Sequence, residues 1–184
     1  MEPAGAGMTT DREAAIAAVV DKDALREVAM RYCRAIDRRD AALLATVYHD
    51  DAHDEHGTFF DGPASEFVAG LERTMSGFEV TQHQISNSSY RLDGDLAEGE
   101  LYFTAYHRTV PPEPKHIVVR GRYLDRYERR GGEWRIAYRK LVWDSYETCD
   151  VLPGDTETLK ALGEGGAGEA DYSYRALGLL GRGR

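Results

Sequence analysis

The clearest pattern in the chain is a change of period. In DKDALREVAMRYCRAIDRRD, apolar side chains recur at three-and-four spacing through Leu25, Val28, Ala29, Tyr32, Cys33 and Ile36, which predicts an amphipathic helix. Asp21 or Asp23 is placed to cap its start, and it ends near Asp37 to Asp40. A short second helix is predicted in AALLATVYHD and a third in PASEFVAGLERTM, where Pro63 suits the first helical position. Further on, QHQISNSSYRL, LAEGELYFTAYHRTV, HIVVRGRYLDRYERR and EWRIAYRKLVWDSY have the composition of strands. Turn signals at Asp93-Gly94-Asp95, Pro111-Pro112-Glu113-Pro114 and Gly131-Gly132 separate them and predict an antiparallel meander.

Helices first and strands later, with a shorter strand from about Asp51 to Phe60, predict an α+β domain. Three N-terminal helices would pack on a strongly curved, mixed but mostly antiparallel sheet and leave a cavity beneath them. Residues 1–15 read as a disordered leader and 16–148 as the domain. Past Tyr146 the sequence turns loop-like, so 149–184 reads as a tail, partly mobile or docking at the pocket or an interface through Tyr172, Tyr174, Leu177, Leu179 and Leu180.

Composition narrows the classes of partner. The 184 residues, 42% of them hydrophobic, suit one ordinary domain, and the formal charge of -9 disfavours nucleic acid and anionic membranes. A small apolar, uncharged ligand is the expected partner. Cys33 and Cys149, far apart in sequence, are expected to stay as free thiols in a reducing cytoplasm. No signal peptide or membrane-spanning run is visible, and there is no G-x-G-x-x-G, P-loop, G-x-S-x-G or C-x-x-C motif.

Asp37 closes the first helix and His83 opens a strand. An acidic residue at a helix C-terminus opposes the helix dipole and needs a compensating partner. Arg34, Arg38 or Arg39 could serve in a purely structural role, whereas an imidazole there would make a proton-shuttling pair. Tyr32 lies about 140° from Asp37 around an ideal helix, so it can flank the same pocket or simply pack in the core. The run His49-Asp50-Asp51-Ala52-His53-Asp54-Glu55-His56 tempts a metal reading, but His53 and His56 would face opposite ways on a strand. His56, on one face with Asp54, Thr58 and Phe60, is instead expected to line a pocket, with Tyr48 beside it. On the last strand Ala137, Arg139, Leu141 and Trp143 share one face while Trp134, Ile136, Tyr138 and Val142 share the other, and either face could be the inner one. Tyr102, Tyr106, Tyr123 and Tyr127 divide among core, pocket and interface.

The stretches RYCRAIDRRDAALLATVYHDDAHDEHG, QHQISN and GRYLDRYERRGGEWRIAYRKLVWD resemble the SnoaL-like branch of the NTF2-like superfamily over roughly residues 20–146. The resemblance implies a curved sheet with helices folded over a deep apolar pocket, and a homodimer or homotrimer. Asp37 and His83 match the positions of the Asp-His dyad of hexachlorocyclohexane dehydrochlorinase, scytalone dehydratase and the bile acid 7α-dehydratases, and Tyr32 matches a pocket Tyr of the last group. It also favours an inward Arg139. Catalysis by Asp37, His83 and Tyr32 is thereby implied, with Tyr48, His56, Phe60, Tyr106, Arg139 and Trp143 as substrate-binding residues and no metal or other cofactor.

The expected activity is that of a lyase (dehydratase) or isomerase acting on a neutral polycyclic, steroid- or polyketide-like carbonyl compound. His83 would remove a proton next to the carbonyl, Asp37 would stabilise the imidazolium, and the proton would return to a leaving hydroxyl or another carbon. The rivals are a non-catalytic binding or assembly module of the same fold and a water-activating hydrolase. A dyad within hydrogen-bond reach beside a roomy apolar cavity separates catalysis from a filled scaffold.

Overall fold

The computed structural model describes residues 6–163 and 165–180. Helix α1 spans Ala6–Arg38 and buries the predicted stripe: Leu25, Val28, Ala29, Tyr32, Cys33 and Ile36 all lie in the core. The helix begins well before Asp21, so the expected leader is helical from Ala6, and its first five residues lie outside the described ones. Alanine, glutamate and arginine there favour helix without an apolar stripe to bury, which is why periodicity alone does not mark the extension. Asp21 is not a cap. Its carboxylate accepts hydrogen bonds from Trp134 Nε1 at 2.9 Å and Arg129 at 2.8 Å, tethering α1 to the last hairpin.

The end of α1 is fixed by Arg39, which takes a left-handed φ of 53° where glycine is usual. Its N–H donates to Ile36 O at 3.2 Å, and the Asp40 N–H donates to Ala35 O at 2.9 Å, closing the last turn. The Arg39 guanidinium donates to Phe78 O at 2.5 Å, which joins the helix end to the start of the strand that carries His83.

Helix α2, Ala41–Ala45, is capped by the Asp40 side chain. It is shorter than predicted because the following residues enter strand β1, Tyr48–Glu55, which begins and ends before the expected Asp51–Phe60. Strand β2, Asp61–Pro63, follows. The expected third helix is then split at Gly70 into α3, Ala64–Ala69, and α4, Leu71–Met75, with Pro63 just outside the first helical position.

Strands β3 (Phe78–Asp93), β4 (Leu96–Thr109), β5 (Lys115–Arg130) and β6 (Glu133–Asp150) form the meander. The β5–β6 turn places Gly131 and Gly132 at φ of 62° and 87°, the left-handed pair that a tight hairpin requires. The six-stranded sheet runs β2-β1-β6-β5-β4-β3, with β1 and β6 parallel and the other neighbours antiparallel. Register shifts between Arg126 and Tyr127 and between Arg120 and Gly121 each move the β6 partner by one residue. Trp134 and Ile136 therefore point inward before the first shift, and Arg139 and Leu141 after it.

Strand β6 runs past Tyr146, and the tail then forms helix α5 (Pro153–Leu162), a 3-10 turn at Gly168–Ala170 and helix α6 (Tyr172–Ala176), so it is not uniformly loop. It docks on the C-terminal end of α1. Arg38 donates to Asp171 at 2.7 Å and to Gly166 O at 2.8 Å, and the Tyr174 hydroxyl donates to Asp40 at 2.7 Å. Of the tail residues expected to dock, Tyr172, Leu177, Leu179 and Leu180 remain exposed. Among the described residues no helix is long and apolar enough to cross a membrane.

Candidate active site

Between the helices and the concave face of the sheet lies a cavity of about 250 Å³, walled largely by Ile36, Phe67, Met75, Phe78, Phe103 and Leu141, with Trp143 and Tyr146 also on its wall. Its polar lining includes Tyr32, His56, His83 and His107. Few polar groups in a mostly apolar hollow is the usual form of a small-molecule site.

Asp37 and His83 meet. The Nδ1 of His83 lies 2.7 Å from Asp37 Oδ1, and the backbone N–H of His83 donates to Oδ2 at 2.9 Å. An ionised carboxylate only accepts, so Nδ1 carries the hydrogen and the lone pair of a neutral ring sits on Nε2. Both side chains are about nine-tenths buried, at 9% and 10% exposure. Asp37 stands behind the imidazole and His83 itself lines the cavity, the order a general base needs.

A second imidazole–carboxylate pair faces the same space. His56 Nδ1 hydrogen-bonds Asp54 Oδ1, and Tyr48 donates its hydroxyl to Asp54 Oδ2. The other ring nitrogen of His56, Nε2, lies 3.4 Å from the Tyr32 hydroxyl. Asp54 is wholly buried, and Tyr32, Tyr48 and His56 nearly so. Alternation along β1 brings Asp54 and His56 to one side, as expected, whereas Thr58 falls in an exposed turn. Burial raises the Tyr32 phenol well above its ordinary value, so it stays protonated.

Several expected binding residues lie elsewhere. Tyr48 is behind the wall, bound to Asp54. Phe60 packs against Phe67, with ring centroids 5.3 Å apart, outside the cavity lining. Tyr106 is on the opposite face of β4, bonded to His116 at 2.8 Å, because the inward alternation runs through Leu101, Phe103 and Ala105. Arg139 is inward and fully buried, but the guanidinium is engaged by Asp125 through two 2.7 Å hydrogen bonds and lies between the Tyr32 and Tyr123 rings, 4.2 and 4.1 Å from their centroids. It is not part of the cavity lining. Trp143 does line the cavity.

His107 is a wall residue that the pattern leaves unmarked. Continuing the alternation Leu101, Phe103, Ala105 by one step would have found it. Its ring lies 5.4 Å from that of His83 and 4.7 Å from that of Phe78, and its buried Nδ1 has no hydrogen-bond partner. Burial, then the neighbouring His83, lowers it from 6.5 to about 4, so it is neutral near neutrality. The histidines of the acidic run disperse: His49 bonds Glu128 O at 2.9 Å, His53 bonds Asp61 at 2.7 Å and His56 bonds Asp54. Both cysteines are unpaired, with Cys33 buried and Cys149 exposed.

The curled sheet, the helices over its concave face and the enclosed imidazole–carboxylate pair define an NTF2-like cone. The chain belongs to the SnoaL-like domain family, matched over residues 17–140. The uncharacterised protein Rv2910c of Mycobacterium tuberculosis (strain ATCC 25618 / H37Rv) is 26% identical over 128 residues, covering 67% of this chain and 86% of that protein. A candidate scytalone dehydratase from Novosphingobium aromaticivorans DSM 12444 superposes with a TM-score of 0.64 at 21% identity over 73% of this chain and 89% of the other. Hexachlorocyclohexane dehydrochlorinase LinA-type3 from Novosphingobium barchaimii LL02 does so at 0.65 and 17%, over 71% and 91%. Kfla4162 from Kribbella flavida gives 0.64 and 22%, over 71% and 95%. At these identities the likeness establishes the shared fold.

Proposed function

We propose that the protein is a cofactor-independent dehydratase-type lyase, or an isomerase, acting on a neutral fused-ring carbonyl compound of steroid or polyketide character. The observation that carries this reading is His83, backed by Asp37 at 2.7 Å and lining a mostly apolar cavity. In this scheme Nε2 of neutral His83 takes a proton from the carbon next to the carbonyl, and the Asp37 carboxylate stabilises the imidazolium. Tyr32 donates to a substrate oxygen, a contact worth about 2.7–4 kcal/mol when it strengthens in the transition state. Neutral His107 is a further polar group at the wall for the carbonyl oxygen. The dehydratase and dehydrochlorinase names among structures of the same fold support an elimination, although fold alone does not choose a reaction.

A carboxylate aligned behind a cavity-facing imidazole favours catalysis over a binding or assembly module. The test is turnover of a panel of fused-ring β-hydroxy ketones, with the conjugated enone followed by absorbance and mass spectrometry. Water loss is expected from at least one compound, falling about 100-fold or more in His83→Ala and Asp37→Ala with unchanged circular dichroism. Undiminished rates in both variants would exclude the dyad.

A further inference from the structure

The second imidazole–carboxylate pair is costly unless it does something. Asp54 is completely enclosed, and its carboxylate is hydrogen-bonded by the Tyr48 hydroxyl and by His56 Nδ1. Enclosing a carboxylate costs less when its hydrogen bonds are made, and this one holds His56 through Nδ1 and leaves Nε2 turned to the Tyr32 hydroxyl. The environment of His83 is different. Asp37 takes one of its two hydrogen bonds from the backbone N–H of His83, and the ring of His107 lies 5.4 Å from that of His83. Two imidazoles, each backed by a carboxylate at Nδ1, thus reach one cavity, and that of His56 has a phenol hydroxyl beside its Nε2.

We infer that His56, held by Asp54 and acting through the Tyr32 hydroxyl, is the general acid that protonates the departing oxygen, while His83 is the base only. This rests on the elimination reading above and assigns a second catalytic group to the same cavity. His83 Nε2 takes H⁺ from the α-carbon, the C–H electron pair becomes the new C=C bond, and the C–O bond breaks with its pair on oxygen. Tyr32 passes its hydroxyl proton to that oxygen and receives the Nε2 proton of His56, so water leaves and Tyr32 is regenerated neutral. His83 is left protonated and His56 neutral, and exchange with solvent resets both. Tyr32 Oη and His56 Nε2 lie 3.4 Å apart, within reach for this transfer. Asp54 and Tyr48 are positioning residues. The substrate class this selects has a hydroxyl leaving group, which needs a proton to depart, in place of a halide, which does not.

The test compares two fused-ring probes, 4-hydroxy-2-decalone and 4-chloro-2-decalone, by their enzyme-dependent rates of enone formation after subtraction of the buffer rate. Because both rates come from one preparation, their ratio is insensitive to the fraction folded. His56→Gln and Tyr32→Phe are each expected to raise the chloride-to-hydroxide ratio about 100-fold or more, and Asp54→Asn to raise it in the same direction. His83→Ala should lower both rates and leave the ratio in place. An unchanged ratio in His56→Gln overturns the acid role while the base reading stands. A wild-type protein that eliminates neither probe overturns the elimination reading and this inference with it. Undiminished rates in His83→Ala overturn the base reading alone.

Discussion

His83 holds the Asp37 carboxylate twice, once from its ring at 2.7 Å and once from its own backbone N–H at 2.9 Å. The backbone bond occupies one carboxylate oxygen, so the other is aimed at Nδ1 and the ring cannot turn without breaking the pair. Asp37→Asn keeps the shape but allows an amide N–H to face Nδ1, which favours the wrong tautomer for a base at Nε2. Turnover should fall by 10²- to 10⁴-fold with the melting temperature little changed. A variant within a few-fold of wild type in kcat/KM would mean that the tautomer is irrelevant.

Arg139 is predicted to matter for stability and not for substrate affinity. Its bidentate pair with Asp125 is fully enclosed, and Tyr127 donates to the same carboxylate. Arg139→Met leaves Asp125 uncompensated and should cost about 3–5 kcal/mol by chemical denaturation. The folded fraction should keep its KM. A rise in KM at unchanged stability would return Arg139 to the binding site.

The pH dependence of stability carries a contribution from His107. Its folded value of about 4 lies below the ordinary 6.5, so between those two pH values the unfolded chain binds a proton that the folded chain does not. Stability is therefore full above pH 6.5 and declines as the pH falls toward 4, by up to about 3 kcal/mol. His107→Phe should remove this part of the slope. Denaturation curves at pH 7 and pH 4.5 for both proteins measure it, and an equal loss in each would assign the slope to other groups.

Gly121 lies at a register shift between β5 and β6. A Cβ added there would lie 2.1 Å from Val142 O and 2.9 Å from the Phe103 ring. Backbone cannot yield as a flexible side chain does, so Gly121→Ala should lower the melting temperature by several degrees and disturb the wall carrying Phe103 and Trp143. Melting unchanged within error would show that the strands separate freely at this point.

What was legible in the sequence was local. The buried stripe of α1 and the glycine turns follow from short-range periodicity, and the helix-ending position of Asp37 follows from the same stripe. The partner of Arg139 was not legible, because uninterrupted pairing back from Gly131-Gly132 sets Asp125 opposite Tyr138, and only the shift at Tyr127 brings it to Arg139. A further shift lets Trp143 and Tyr146 both reach the cavity although they are three residues apart. Tyr106 and His107 were hard to rank because aromatic residues occupy both faces of β4, and only burial of Leu101, Phe103 and Ala105 decides which is inner. Pairing of Asp54 with His56 follows from alternation, but the enclosure that gives it chemical meaning depends on Tyr48 and on the helix carrying Tyr32.

The most direct measurement is deuterium uptake at the α-carbons of 2-decalone, a fused-ring ketone with no leaving group, followed by NMR in D₂O with wild-type protein and His83→Ala. Proton abstraction alone is then observed, free of any later step. Wild-type protein should accelerate uptake over buffer, and His83→Ala should reduce that acceleration about 100-fold or more. Equal uptake with both proteins would contradict the assignment of His83 as the base.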